Sequence, residues 1–129
     1  MKQEFDAGNK PKYDLEERTT DFAGRVIRLC KSLPRNSINE MSKCQRVVST
    51  GSIGANYREA NDSLGKKNFF HRLKVSRKEA KETLHWLELI QEANPEFEER
   101  MKVLIQESKK IKNILCSIID KMQNRKEKV

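Results

Sequence analysis

Between Lys66 and Lys78 the chain carries six cations, Lys66, Lys67, Arg72, Lys74, Arg77 and Lys78, with His71 among them and no acid. On a helix Lys67, Lys74 and Lys78 fall near one another, and Arg77 can join them across the same exposed side. Ammonium and guanidinium groups gathered in this way attract phosphate without reading base sequence. The competing reading is a solvated helix face, which is what most charge runs are. Three features favour phosphate: the acid-free run, the formal net charge of +8, and further cations at Arg25, Arg28 and Lys31 that could extend the patch. Phe69 and Phe70 are interleaved with the run, but Phe69 also belongs to a core stripe, so base stacking is not implied. The candidate nucleic-acid contacts are therefore Lys66, Lys67, Arg72, Lys74, Arg77, Lys78, Arg25 and Arg28.

A second set is polar rather than basic. Asn56 and Glu59 share one helical face, and Glu79, Glu82 and Trp86 share another. A carboxylate directed into a helical core must find a cation or donors, because an unpaired buried charge is costly. Arg18, Arg46 and Lys74 are available partners. Arg18, Arg46, Asn56, Glu59, Glu79, Glu82 and Trp86 thus read as a structural network that fixes helix register or a subunit interface. The alternative is a polar ligand pocket.

Catalytic chemistry finds little support. Helical proteins can hold two metals with carboxylates and paired Glu-x-x-His motifs. Glu82-Thr-Leu-His85 is one such spacing, but the residue three before His71 is Asn68. Nothing marks a cysteine as activated, and neither histidine has an evident Ser or Cys partner. Cys30, Cys44 and Cys116 are odd in number, widely spaced and without a CxxC, so neither a disulfide framework nor a zinc site is indicated. The expectation is a non-enzymatic protein with no catalytic residues, metal, cofactor or small-molecule substrate.

What would position these groups is a set of helices. The chain is 36 % charged and 6 % aromatic with only five glycines and three prolines, a balance that suits helices with solvated outer faces. Leu15, Thr19, Phe22, Val26, Leu29 and Leu33 make the first apolar stripe, closed by Pro34. Ser37 is the expected cap of a second helix, with Glu40 completing a capping box. That helix contains the least bulky stretch of the chain, residues 46–61, where Ser49, Thr50, Gly51, Ser52, Gly54 and Ala55 cluster around Ile53. A phosphate-wrapping loop would need a GxxxxGK[ST] or GxGxxG pattern after a strand. Gly51-x-x-Gly54 offers neither, so the segment reads as a close-packed helix. Three lines run along it: Ile38, Met41, Val48, Ser52, Ala55 and Glu59; Val47, Gly51 and Gly54; and Arg46, Ile53 and Ala60. No side of it is purely charged, which hints at self-assembly; the alternative is the central helix of a monomer.

After the turn Asp62-Ser-Leu-Gly65, a third helix carries Phe69, Leu73, Ser76, Ala80, Leu84, Leu87 and Gln91 on one face, widened by Phe70, Trp86 and Ile90, and stops at Asn94-Pro95. A fourth, about Glu96 to Gln123, has Phe97, Met101, Leu104, Ser108, Ile111, Leu115, Ile118 and Met122 at alternating spacings, broadened by Ile105, Ile114 and Ile119. The expected fold is all-α, an antiparallel up-down-up-down four-helix bundle over residues 13–123, with a flexible lead-in of residues 1–12 and a basic tail of residues 124–129. No apolar run reaches the ~18 residues of a membrane span and no signal-peptide h-region is evident, so no membrane partner and a cytoplasmic setting are expected.

Gln45-Arg46, then Ser52-Ile-Gly-Ala-Asn-Tyr-Arg-Glu-Ala60, Phe69 through Trp86-Leu87 and the opening Tyr13-Asp-Leu-Glu-Glu-Arg-Thr19 resemble the bacterial four-helix-bundle family of proteins encoded in intervening sequences of 23S ribosomal RNA genes, also called S23 ribosomal protein-like. The likeness covers about residues 13–122. It departs at Gly51, where a serine is expected, and around Phe70 and His71. Relatives form ring-like homopentamers, and a related accessory protein of diversity-generating retroelements works with a reverse transcriptase and its RNA. The resemblance therefore implies a homo-oligomer, a pentamer above all, and RNA as the favoured nucleic acid. The runner-up is an oligomeric scaffold whose partner is a protein such as a reverse transcriptase.

Overall fold

The structure, a computed structural model, describes residues 14–128, with the side chains of residues 41–46 and 125–128 outside the described set. The expected lead-in of residues 1–12, Tyr13, the side chains of Cys44 and Arg46, the basic tail's side chains from residue 125, and residue 129 fall outside it. Every regular element among the described residues is helical: α1 (Leu15–Ser32), α2 (Ser37–Asp62), α3 (Lys66–Ala93) and α4 (Glu98–Lys128), with a 3-10 turn at Pro95–Phe97 between the last two. Each helix packs on its neighbours in sequence and α1 also packs on α4, while the backbones of α1 and α3, and of α2 and α4, stay apart. No helix among the described residues is long and apolar enough to cross a membrane.

The caps follow from local chemistry. Asp14 caps α1 by accepting from the Glu17 amide at 3.4 Å, with Glu16 and Glu17 in the first turn and Lys31 in the last, charges that suit the helix dipole. The cap of α2 is Asn36, not Ser37. Its extended backbone lets the side chain accept from the Asn39 amide at 2.9 Å, which asparagine does as well as serine. Asn39 itself points inward, where it donates to the Pro34 carbonyl at 2.8 Å and exchanges amide hydrogen bonds of 3.1 and 3.0 Å with Asn94 at the end of α3. Gly65 precedes α3 with φ of 88°, a left-handed backbone that side chains disfavour. Helix α4 begins two residues later and ends five residues further on than the expected Glu96 to Gln123, at Lys128. Pro95 holds the start in a 3-10 turn, and the terminal Arg, Lys, Glu and Lys residues are all good helix formers.

The core lies where the stripes meet. Leu15, Thr19, Phe22, Val26, Leu29 and Leu33 are all buried, joined by the thiol of Cys30, which is in no disulfide. On α3 the buried set is Leu73, Ser76, Ala80, Thr83, Leu87 and Ile90, with Phe69, Phe70 and Leu84 only half-buried or at the margin against it. On α4 the seam runs through Met101, Leu104, Ile105, Ser108, Ile111 and Leu115 and then turns to Ile119, leaving Ile118 and Met122 at its edge. Ile119 lies 18 residues beyond Met101, five turns of ~3.6 residues, whereas alternating spacings of three and four drift off such a face.

Two buried hydroxyls, Thr83 Oγ1 and Ser108 Oγ, have no hydrogen-bond partner among the described residues. An unmatched buried polar group costs about 1–3 kcal/mol. Thr83→Val keeps the shape and removes the hydroxyl, so it should raise stability by about 1 kcal/mol in urea unfolding. A loss of stability would mean that the hydroxyl is matched after all.

Candidate nucleic-acid interface

Helix α3 presents most of the basic run to solvent. Lys66, Lys67, Arg72, Lys74 and Lys78 are exposed and Arg77 is half-buried. The core residues Leu73, Ser76 and Ala80 face inward, which turns Lys67, Lys74 and Lys78 outward on the opposite side. Lys81, also exposed, continues that outer row at helical spacing. It lies beyond Glu79, outside the acid-free run, and periodicity alone could have added it. Arg72 sits on the flank, where its Nη1 donates to Asn56 Oδ1 of α2 at 3.0 Å. Lys74 places its ammonium 4.4 Å over the Phe70 ring one turn earlier, so it meets an aromatic face rather than the carboxylates for which it was one available partner.

Arg25 and Arg28 do not extend this patch. They belong to α1, whose backbone does not meet α3. Glu16, at the start of α1, binds Arg58 Nη1 at 3.1 Å and Asn61 Nδ2 at 2.7 Å near the end of α2, just ahead of α3. Arg25 and Arg28 lie further along α1, on its side towards α4 rather than towards α3. They line a groove with Arg100, Val103 and Leu104 instead. Spacing along one chain gives no means of seeing that these cations stand at a different helix contact.

The expected polar network is likewise divided. Arg18 turns to Glu107 of α4, donating from Nε to Oε2 at 2.7 Å and from Nη2 to Oε1 at 3.0 Å, a forked pair with side chains 27 % and 16 % exposed. Glu107 carries no sequence signal of this role, being one acid among many in a charged helix. Asn56 donates to the Ser52 carbonyl at 2.9 Å and accepts from Arg72, whereas Glu59 is exposed and Arg46 is outside the described side chains. Trp86 is half-buried with its ring centroid 5.8 Å from that of His85. Glu79 and Glu82 do meet, one turn apart on α3. Partial burial pushes the Glu79 carboxyl above its ordinary value; the Glu82 charge and a hydrogen bond to Glu82 push it the same way, while Lys78 opposes.

This shift has a sign that can be tested. A carboxyl whose folded value is raised is penalised when ionised, so its cost is present above the folded value and disappears as pH falls towards the unfolded value near ~4.3. Glu79→Gln should therefore be neutral or stabilising at pH 7, with the difference shrinking on acidification. A Tm gap that widened towards low pH would contradict this assignment. Among the described residues no three His, Cys, Asp or Glu side chains gather as a metal site requires.

The family model for 23S rRNA-intervening sequence proteins matches residues 12–117. The chain belongs to that family. A crystal structure of a protein of unknown function from the S23 ribosomal protein family of Bacteroides thetaiotaomicron is 30 % identical, with a TM-score of 0.71 over 81 % of this chain and 97 % of that one. Among curated proteins none matches the chain. The family assignment agrees with the resemblance carried by Ser52–Ala60 and Tyr13–Thr19, both of which lie inside the matched segment.

Proposed function

We propose that this 23S rRNA-intervening sequence protein is a non-enzymatic, self-assembling bundle that binds nucleic acid, RNA above DNA, through phosphate. The observation that carries the reading is the outer row of α3, where Lys67, Lys74, Lys78 and Lys81 are exposed and make no ion pair with another described residue. Such a row can follow a phosphate backbone without contacting base edges. The link between the family's name and 23S rRNA intervening sequences favours RNA. Affinity for a labelled single-stranded RNA, measured across a salt series, tests this. Log affinity should fall linearly with log salt; absence of binding at low salt, or an affinity indifferent to salt, would refute it.

The helix order supports an antiparallel up-down-up-down arrangement. The start of α1 bonds the end of α2 through Glu16 with Arg58 and Asn61, and the start of α2 bonds the end of α3 through Asn39 with Asn94. Self-assembly draws on α2. Val48 is 59 % exposed, and Val47, Gly51 and Ala55 are exposed with it, an apolar and small-residue strip that no described helix of the same chain covers. A second copy is the occupant proposed, with a pentamer favoured by the family resemblance. A protein partner on the same strip is the second reading. Light scattering on purified protein at micromolar concentration should give several times the 15.1 kDa of one chain; a monomer would leave only the second reading.

A further inference from the structure

Arg25 and Arg28 of α1 and Arg100 of α4 line one open groove of about 270 Å³, completed by Val103 and Leu104. Arg28 lies back along its own helix, its Nη1 only 3.5 Å from where a Cβ on Gly24 would be. None of the three guanidinium groups makes a hydrogen bond or ion pair with another described residue. Acids are near, since Asp21 precedes Arg25 by one turn of α1 and Glu96, in the 3-10 turn, precedes Arg100 by four residues. Neither closes on its arginine, and Glu107, on the same two-helix surface, is held by both forks of Arg18. Three like charges at one groove repel each other, and the arrangement is relieved when an anion enters.

We propose that this groove binds a dianionic phosphate group, either free phosphate or the terminal phosphate of an ester. A guanidinium presents parallel N–H donors to two oxygens, and three of them offer more donors than the two oxygens of a carboxylate can accept. A phosphate with nearly two charges and three peripheral oxygens matches both the charge and the donor number. The exposed side chain of Val103 on the wall provides a surface for the organic part of an ester. The groove is built by α1 and α4, apart from the outer row of α3, so this inference does not rest on the nucleic-acid reading.

The test is a chemical-shift titration of nitrogen-15-labelled protein at about pH 8, where phosphate esters carry two charges. Inorganic phosphate and a nucleoside 5′-monophosphate are the two probes, with acetate at matched ionic strength as control. Saturating shifts should centre on the groove-lining parts of α1 and α4. Equal affinity for both probes identifies the free ion as sufficient, whereas tighter binding of the monophosphate identifies an ester. Arg28→Gln and Arg100→Gln each replace an exposed side chain with a helix-compatible neutral one and should weaken binding about tenfold. Replacing Lys67, Lys74 and Lys78 by Gln should leave it unchanged. Linear, unsaturable shifts, an equal response to acetate, or parental affinity in both folded arginine variants would overturn the proposal.

Discussion

Gly54→Leu should severely damage the fold at the α1–α2 contact. A Cβ at residue 54 would stand 2.7 Å from Thr19 Oγ1 and 3.3 Å from Thr19 Cβ. Thr19 cannot readily yield. It is buried and β-branched, and its hydroxyl donates to the Leu15 carbonyl at 2.8 Å. Leucine adds three further carbons to this collision, so a loss at or above the upper end of the ~1–3 kcal/mol typical of overpacking is expected. Gly54→Ala should show a smaller loss, much of it restored by Thr19→Ala in the same chain, because that change removes the nearest clashing atom. Urea unfolding of the parent, the two single variants and the double variant closes the cycle. If the two substitutions simply added, the contact would not be what constrains residue 54.

Gly51 is the counterpart. A Cβ there meets nothing within 4 Å, so within one chain Gly51→Ala has only the helix-propensity gain of up to ~1 kcal/mol to express. Gly51→Leu should then keep its helicity yet reduce the assembled mass, because the added side chain stands in the strip proposed to meet a second copy. In the sequence the two glycines read as one close-packed stretch. Their environments separate them: one faces Thr19 and the other faces away from its own chain.

The apolar periods locate each helix, since burial of Phe22, Val26, Leu73, Leu87, Ile111 and Leu115 is what a 3.6-residue repeat dictates. Less legible is everything that depends on which helix stands beside which. Asn39 looks like an ordinary polar residue near a helix start until Asn94 is brought opposite it, 55 residues away in sequence. Arg18 finds Glu107 across 89 residues, and no local pattern distinguishes that acid from its neighbours. Charge alone would join Arg25 and Arg28 to the α3 run, whereas helix adjacency gives them to Arg100. Composition therefore locates the cations, and packing decides which of them act together.

The four-fold substitution of Lys67, Lys74, Arg77 and Lys78 by Gln should flatten the salt dependence of RNA binding. It removes four positive charges from α3 while retaining side chains that favour a helix. Each lost phosphate contact lowers the slope by about 0.7–0.9, with single strands at the lower value, so four contacts amount to roughly three units. Binding should weaken for unrelated sequences alike, because none of these groups is expected to read a base edge. Adding Lys81→Gln should lower the slope further if the exposed row is followed along its length. An assembly repeats the row on every subunit, so the loss of avidity can exceed what one chain predicts. Stability is a separate readout: Lys74 over Phe70 is an exposed cation–π pair worth about 0.5–1 kcal/mol, so a small drop in Tm accompanies the change. Arg77, half-buried, contributes packing through its alkyl stem as well, which makes retained helicity and mass the necessary control. A folded variant that still bound RNA with the parent's slope would reduce the α3 row to a solvated face, and the phosphate contacts would then have to come from another surface.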